Sequence, residues 1–276
     1  SLNVEWRGKM TLKYFVISML FWFFHTNLLV RGDAQSLNIR NESPPFSIEE
    51  IVKKFAAKEE EFSQARDNYT YRQTVKIEVL TLNGRRTGQR YFTESDILFD
   101  NKGKRIEKVL RAPQSTLRSI QLTQEDLDDI QNIFPFVLTT SSISKYNLHY
   151  LGKELVDEID TFVFDVSPRV IKKRERYFEG KIWVDDQDLQ IVKTNGKTVY
   201  RVTRHNRDQR FPKFETYREN IDGKYWFPTY TRADDVLRFP GQNVRIREIV
   251  TYKKYKRFKA DVTITVGDEV TSEPSK

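Results

Sequence analysis

Hydrophobic and polar positions alternate with a period of two along much of this chain, the period of a half-buried β-strand. Residues 177–200 carry it most densely: Phe178, Ile182 and Val184 alternate with Tyr177, Lys181 and Trp183. Asp185-Asp186-Gln187-Asp188 predicts a turn, a second strand starts over 189–193, and Asn195-Gly196 predicts another turn. Upstream, Tyr69, Tyr71, Gln73, Val75, Ile77 and Val79 share one face while Arg72, Thr74, Lys76 and Glu78 share the other. Asn83-Gly84 with Gly88 closes a hairpin, after which Tyr91, Thr93, Ser95, Ile97 and Phe99 return opposite Arg90, Glu94, Asp96 and Asp100. A third strand is expected over 104–110. The pattern resumes at Phe162, Val163, Phe164 and Val166, at 199–202, in a pair over 214–221 and 225–231 joined by Asp222-Gly223, and over 244–258, with 262–266 as a further edge. Consecutive hairpins build an antiparallel meander, and such a sheet has one face that must be covered.

Two segments change period. Ser47-Ile48-Glu49-Glu50 is a capping box, and Ile48, Ile51, Val52, Phe55, Ala56 and Phe62 then recur at helical spacing while Lys53, Lys54, Lys58, Glu59 and Glu60 face away. This amphipathic helix has one stripe to bury and is the candidate cover. Residues 111–147 interrupt the meander: Thr123 caps a short helix through Glu125, Asp126, Leu127 and Ile130, and Ile133 to Leu138 form an apolar run expected against the sheet. No linker or internal repeat divides the chain, so residues 35–276 read as a single α+β domain.

The first segment reads differently. After Lys13 an apolar run from Tyr14 to Phe24 continues through Leu28-Leu29-Val30 to Gly32-Asp33-Ala34. This is the pattern of a secretory signal peptide over residues 1–34, cut after Ala34. An uncleaved anchor is the alternative, and His25, Thr26 and Asn27 interrupt the run before it reaches the roughly 20 residues a span needs. Of 47 basic and 39 acidic residues, 43 and 37 remain once Arg7, Lys9, Lys13, Arg31, Glu5 and Asp33 are removed. Export argues against nucleic acid as a partner. The basic excess suits an anionic lipid surface, or simply keeps an exported chain soluble.

The chain has no cysteine, which excludes disulfides, thiolate metal sites, a cysteine nucleophile and a lipidated cysteine after the cleavage site. His149 and His205 are too few for a zinc set, and Asp185, Asp186 and Asp188 lack the glycine and glutamate of a calcium loop. No nucleophile elbow, phosphate loop or dinucleotide fingerprint is present, so neither a cofactor nor a metal is expected, and catalysis is left only to carboxylates dispersed in sequence.

The helix running into Tyr69-Thr-Tyr-Arg-Gln-Thr-Val, then Tyr177-Phe-Glu-Gly-Lys-Ile-Trp-Val-Asp, Leu189-Gln-Ile-Val-Lys, Phe214-Glu-Thr-Tyr-Arg-Glu and Tyr225-Trp-Phe-Pro-Thr-Tyr-Thr resemble the LolA/LolB-like outer-membrane lipoprotein-sorting superfamily. The resemblance implies an unclosed antiparallel β-barrel, lidded by the helix and the insertion, whose cavity holds acyl chains of a lipoprotein or another lipid. It implies a soluble periplasmic carrier with transient contacts to inner- and outer-membrane sorting components, and no enzyme activity. The side chains expected to line the cavity are Tyr69, Tyr71, Val75, Ile77, Tyr91, Ile97, Phe99, Phe162, Phe164, Trp183, Trp226, Phe227 and Tyr230. The same aromatics would equally fill a packed core. Two rival functions stand beside the carrier: an envelope-stress sensor or scaffold that binds a protein partner on a similar fold, and a secreted hydrolase with dispersed carboxylates.

Overall fold

The computed structural model of the protein describes residues 39–100, 103–201 and 211–257. The signal peptide and its cut site, His205, the edge at 262–266 and the polar tail lie outside the described residues. Helix α1 spans Ile48–Arg66, with the Ser47 hydroxyl oxygen accepting from the Glu50 amide at 3.2 Å. Glu50 does not reach back to complete the expected box. Its carboxylate pairs with Lys54 at 2.7 Å, one turn on. The stripe α1 buries is Ile51, Phe55, Ala56 and Phe62, joined by Glu59, which was expected to face away and is instead turned inward to pair with Arg218.

The strands follow as β1 Tyr69–Leu80, β2 Arg86–Phe99 and β3 Arg105–Arg111, then, after helix α2 Gln124–Asn132, as β4 Tyr146–Val156, β5 Ile159–Pro168, β6 Arg176–Asp185, β7 Ile191–Tyr200, β8 Phe214–Asn220, β9 Trp226–Phe239 and β10 Gln242–Arg257. They form a ten-stranded sheet in the order β3-β2-β1-β10-β9-β8-β7-β6-β5-β4, antiparallel throughout. The edge strands β3 and β4 do not pair, so this is an unclosed β-barrel. The chain returns on itself at the β1–β10 seam, where Val75 faces Val250, Ile77 faces Glu248 and Val79 faces Ile246.

One face of the sheet holds the main core. Ile51 and Phe55 of α1, Ile130 of α2, and Phe134, Phe136 and Leu138 pack on Val75, Phe162, Phe164, Phe178, Ile182, Val184, Phe214 and Val250. Thr123 caps α2 in a full capping box, with Asp126 returning the bond, so the insertion begins as expected. The apolar run behind α2 is buried because its alternate aromatics stack into the sheet: Phe136 lies 4.3 Å from Phe178 and Phe134 lies 4.4 Å from Phe214, centroid to centroid. A smaller cluster of Val163, Trp183 and Val192 sits apart, with Ile39, Leu151, Val156 and Trp226 against it.

One expected turn is absent. Asn195-Gly196 lies inside β7, paired with Lys181 and Gly180 of β6, and of the strand expected at 199–202 residues 199 and 200 are the end of that same strand. The glycines are there for close approach: a Cβ on Gly196 would stand 2.4 Å from Glu179 O and 2.5 Å from Phe178 Cε2, and one on Gly180 2.3 Å from Asn195 O. Gly196→Ala is therefore expected to cost about 1–3 kcal/mol by overpacking, read as a lower urea midpoint at unchanged slope. An unchanged midpoint would mean the strands separate freely at this point.

Candidate functional site

The inner face carries a cavity of about 380 Å³ between the sheet and the segment that leads into α2. Its floor and walls include Ile77 of β1, Leu237 and Phe239 of β9, Ile246 of β10, Phe134, and Ile120 and Leu122 of the overlying segment. That segment is pinned from the side. Gln89 of β2 accepts from the Arg118 and Ser119 amides at 2.8 Å each and donates to the Ser119 hydroxyl at 2.9 Å. Exposed Gln121, Thr123 and Glu125 form the rim, while Ile77, Ile246 and Glu248 at the floor are buried.

The lining is mixed, and one flank of the cavity is charged. Asp126 and Asp129 of α2, Glu248 of β10 and Arg176 of β6 all reach it, with Thr198 and Tyr200 of β7. Arg176 is already engaged: its Nη1 lies 2.8 Å from Asp129 Oδ2 and donates to the Glu125 carbonyl at 2.8 Å, and its guanidinium covers the Phe211 ring at 4.5 Å. The Asp129 contact is a close ion pair, and Arg176 and Thr198 both favour the charged carboxylate. Asp126 accepts from the Thr123 amide at 2.8 Å and the Thr123 hydroxyl at 2.9 Å.

Glu248 differs from these. In β10 the inward row runs Val244, Ile246, Glu248, Val250, Tyr252, so strand parity drives a carboxyl into the apolar wall beside Ile77 and Ala233. Its Oε1 is buried without a hydrogen-bond partner among the described residues. Burial first, then the nearby carboxylates of Asp126 and Asp129, push its pKa up to about 8. Burial likewise raises Asp129, against the pull of Arg176.

A second, smaller cavity of about 240 Å³ opens at the other end of the inner face, lined by Tyr71, Phe99, Tyr252 and Tyr255 with Arg66 and Arg105. Between α1 and the sheet lies a buried ion pair. Arg218 Nη1 donates to both carboxylate oxygens of Glu59, at 3.0 and 3.1 Å, while its Nη2 donates to the Phe136 carbonyl and the Ile191 amide donates to Glu59 Oε1 at 3.1 Å. One residue pair thus holds α1, β7, β8 and the segment behind α2 together. Burial raises the Glu59 carboxyl above its ordinary range, and the Arg218 charge opposes that rise.

The thirteen side chains expected to line a cavity are dispersed. Ile77 is on the floor of the 380 Å³ cavity, Tyr71 and Phe99 line the 240 Å³ one, and Tyr91 lines a more open pocket of about 540 Å³ along residues 115–122. Val75, Phe162 and Phe164 are packed in the main core, and Ile97 is fully buried. Tyr69 and Phe227 pack around Phe62 of α1. Trp183 and Trp226 belong to the separate cluster, where their indole nitrogens donate to Glu154 at 2.7 Å and to Asp188 at 3.1 Å. Tyr230 is half-buried, opposite Tyr217 and Thr251 in the sheet. His149 is exposed in β4, and among the described residues no three of His, Cys, Asp or Glu are placed to hold a metal ion. No helix among them is long and apolar enough to cross a membrane.

Leu237, Ile246, Glu248 and Arg176 had no place in the sequence expectation. The signal for Glu248 was present as a lone carboxyl in an otherwise apolar inward row. Arg176 and Asp129 carried none, because they lie on different elements 47 positions apart and meet only when α2 folds over β6.

No family model matches the chain, and no curated protein matches it. Among solved structures it is similar to a DUF1329 family protein from Desulfovibrio piger ATCC 29098, at 15% identity and a TM-score of 0.42, covering 80% of this chain and 96% of that one. It is also similar to a LolA superfamily protein from Nitrosomonas europaea, at 14% identity and a TM-score of 0.31, covering 76% of this chain and 93% of the other. A putative outer membrane lipoprotein-sorting protein domain from Vibrio parahaemolyticus gives 13% identity and a TM-score of 0.34, covering 77% and 95%. All three likenesses are low in identity and in TM-score. They name neither ligand nor partner for this chain, and the cavity has to be read from its own residues.

Proposed function

We propose that the protein is a non-catalytic carrier, exported to a periplasm, that holds an acyl chain of a lipoprotein or another lipid in the inner-face cavity beside Ile77 and Glu248. The observation that carries this reading is the cavity itself: about 380 Å³ of space on the covered face, floored by Ile77, Leu237 and Ile246. That volume lies in the range of small-molecule sites, roughly 300–1,000 Å³. Burying a methylene gains about 0.8 kcal/mol, so eight of them supply about 6 kcal/mol with no chemistry required. The irregular segment over the cavity, with exposed Gln121 and Thr123 at the rim, leaves a route by which such a chain enters.

A neutral fluorescent acyl probe tests the reading on delipidated, folded protein. Leu237→Trp, which fills the space without a charge, and Ile77→Glu, which places a second carboxyl beside Glu248, are each expected to weaken probe binding at least tenfold. Lys76→Gln on the other side of the same strand is expected to leave it within twofold. Circular dichroism of each variant provides the folding control. A folded wild type that takes up no probe would return the cavity to the role of a packing defect.

A second reading, a scaffold for a protein partner, is favoured by one specific feature. Edge strand β3 exposes Ile106, Val109 and Leu110 at 46%, 57% and 42%, and an apolar unpaired edge is a template for an added strand. Native mass spectrometry of protein from the envelope fraction separates the two: bound lipid supports the carrier, and a co-purifying protein with no lipid supports the scaffold.

A further inference from the structure

We propose that the cavity selects an amphiphile with a cationic, ammonium-bearing head, and that Glu248 is the residue that receives it. The inference rests on the carrier reading and adds the chemistry of the ligand's polar end. The lining holds four carboxyl groups, Glu125, Asp126, Asp129 and Glu248, against one guanidinium. Arg176 is unavailable to an anionic head because Asp129, the Glu125 carbonyl and the Phe211 ring already surround it. Asp126 is held by Thr123 at the helix cap, and Asp129 has the charge of Arg176 beside it. Glu248 is buried, faces the cavity and leaves Oε1 unbonded among the described residues, with carboxylates rather than a cation as its nearest charges.

A buried polar atom without a partner costs about 1–3 kcal/mol, so a site that keeps one gains by receiving a donor there. An ammonium supplies three N–H donors and a positive charge, which answers both the unbonded oxygen and the negative surroundings. A carboxylate head would face Asp126 and Asp129, and a hydroxyl would supply a donor but leave the charge unbalanced. The groups facing Glu248 are Asp126 and Asp129 from α2, with Arg176 of β6 across the same cavity and Tyr252 further along its own strand. Since the empty site holds Glu248 mostly protonated at neutral pH, an arriving ammonium displaces that proton to solvent and leaves a carboxylate–ammonium pair.

The test compares dodecylamine, dodecanol and dodecanoate, titrated below their aggregation concentrations into delipidated protein at pH 7. The amine is expected to bind wild type at least tenfold more tightly than either other compound. Glu248→Gln, nearly isosteric, is expected to bring the amine to the affinity of the alcohol while leaving the alcohol unchanged. Calorimetry of the wild type in two buffers of different ionisation enthalpy supplies a readout that needs no variant: close to one proton released with the amine and none with the alcohol. Equal affinity for amine and alcohol, preference for the carboxylate, or amine binding without proton release would each overturn the proposal while leaving the carrier intact. Binding of none of the three would remove the carrier and this inference together.

Discussion

Arg218→Met is expected to destabilise the fold by about 3–5 kcal/mol, the cost of leaving a buried carboxylate without its counter-charge. Glu59 and Arg218 are almost wholly removed from solvent, at 0% and 1% side-chain exposure, so water cannot take over for the lost partner. The guanidinium also covers the Phe62 ring at 5.1 Å and bonds the Phe136 carbonyl, which ties the segment behind α2 to the sheet. Glu59→Leu alone should be comparably costly, since it strands the arginine. The double variant should recover part of the loss, because two apolar side chains remove both uncompensated charges while the Phe136 carbonyl and Ile191 amide lose their side-chain partners. Urea unfolding of the two single variants and the double closes the cycle. Single variants that each cost under about 1 kcal/mol, or costs that simply add, would show that water reaches the pair and that α1 is held by its apolar stripe alone.

The next largest effect is a pH dependence traceable to Glu248. Its folded pKa is raised from the ordinary 4.5 to about 8, so between those limits the folded state binds a proton that the unfolded state has released. The contribution is fully present below about pH 4.5 and is lost as pH rises through about 8. Each tenfold change in an equilibrium constant is worth about 1.4 kcal/mol, so the wild type is expected to lose roughly 4 kcal/mol relative to Glu248→Gln between pH 5 and pH 9. Asp129, also raised by burial, adds to the decline in both proteins, and because its charge acts on Glu248 the comparison reads the coupled pair rather than one isolated group. Parallel stability curves for wild type and variant over that range would mean that the carboxyl finds water or a cation in the cavity.

The inner face thus holds two buried acids in opposite circumstances. The Glu59–Arg218 pair is closed, with each charge answered, and its role is to fasten the cover. Glu248 is open, and the cavity around it is the place where the fold leaves room.

Much of this was legible in the sequence because it depends on neighbours in the chain. The Ser47 and Thr123 caps, the buried stripe of α1, the hairpins at Asn83-Gly84 and Asp222-Gly223 and the inward row of β1 all follow from local periodicity and turn chemistry. Parity even placed Trp183 correctly, opposite Ile182 and Val184; grouping it with the cavity gave residue type more weight than position, and the structure puts it with Val163 and Val192. The failures needed a second strand to explain them. Asn195-Gly196 has turn chemistry, but its glycine serves the close approach of β6, a contact that no property of β7 announces. The seam of β1 with β10 joins residues more than 160 positions apart, and only that pairing places Ile77 beside Glu248. Local sequence thus determined most of the elements and most of the side chains that face inward, Glu59 excepted, because those depend on backbone geometry over a few residues. The tertiary structure alone decided which inward side chains pack and which border empty space, because a cavity is what remains when distant elements fail to fill the volume between them.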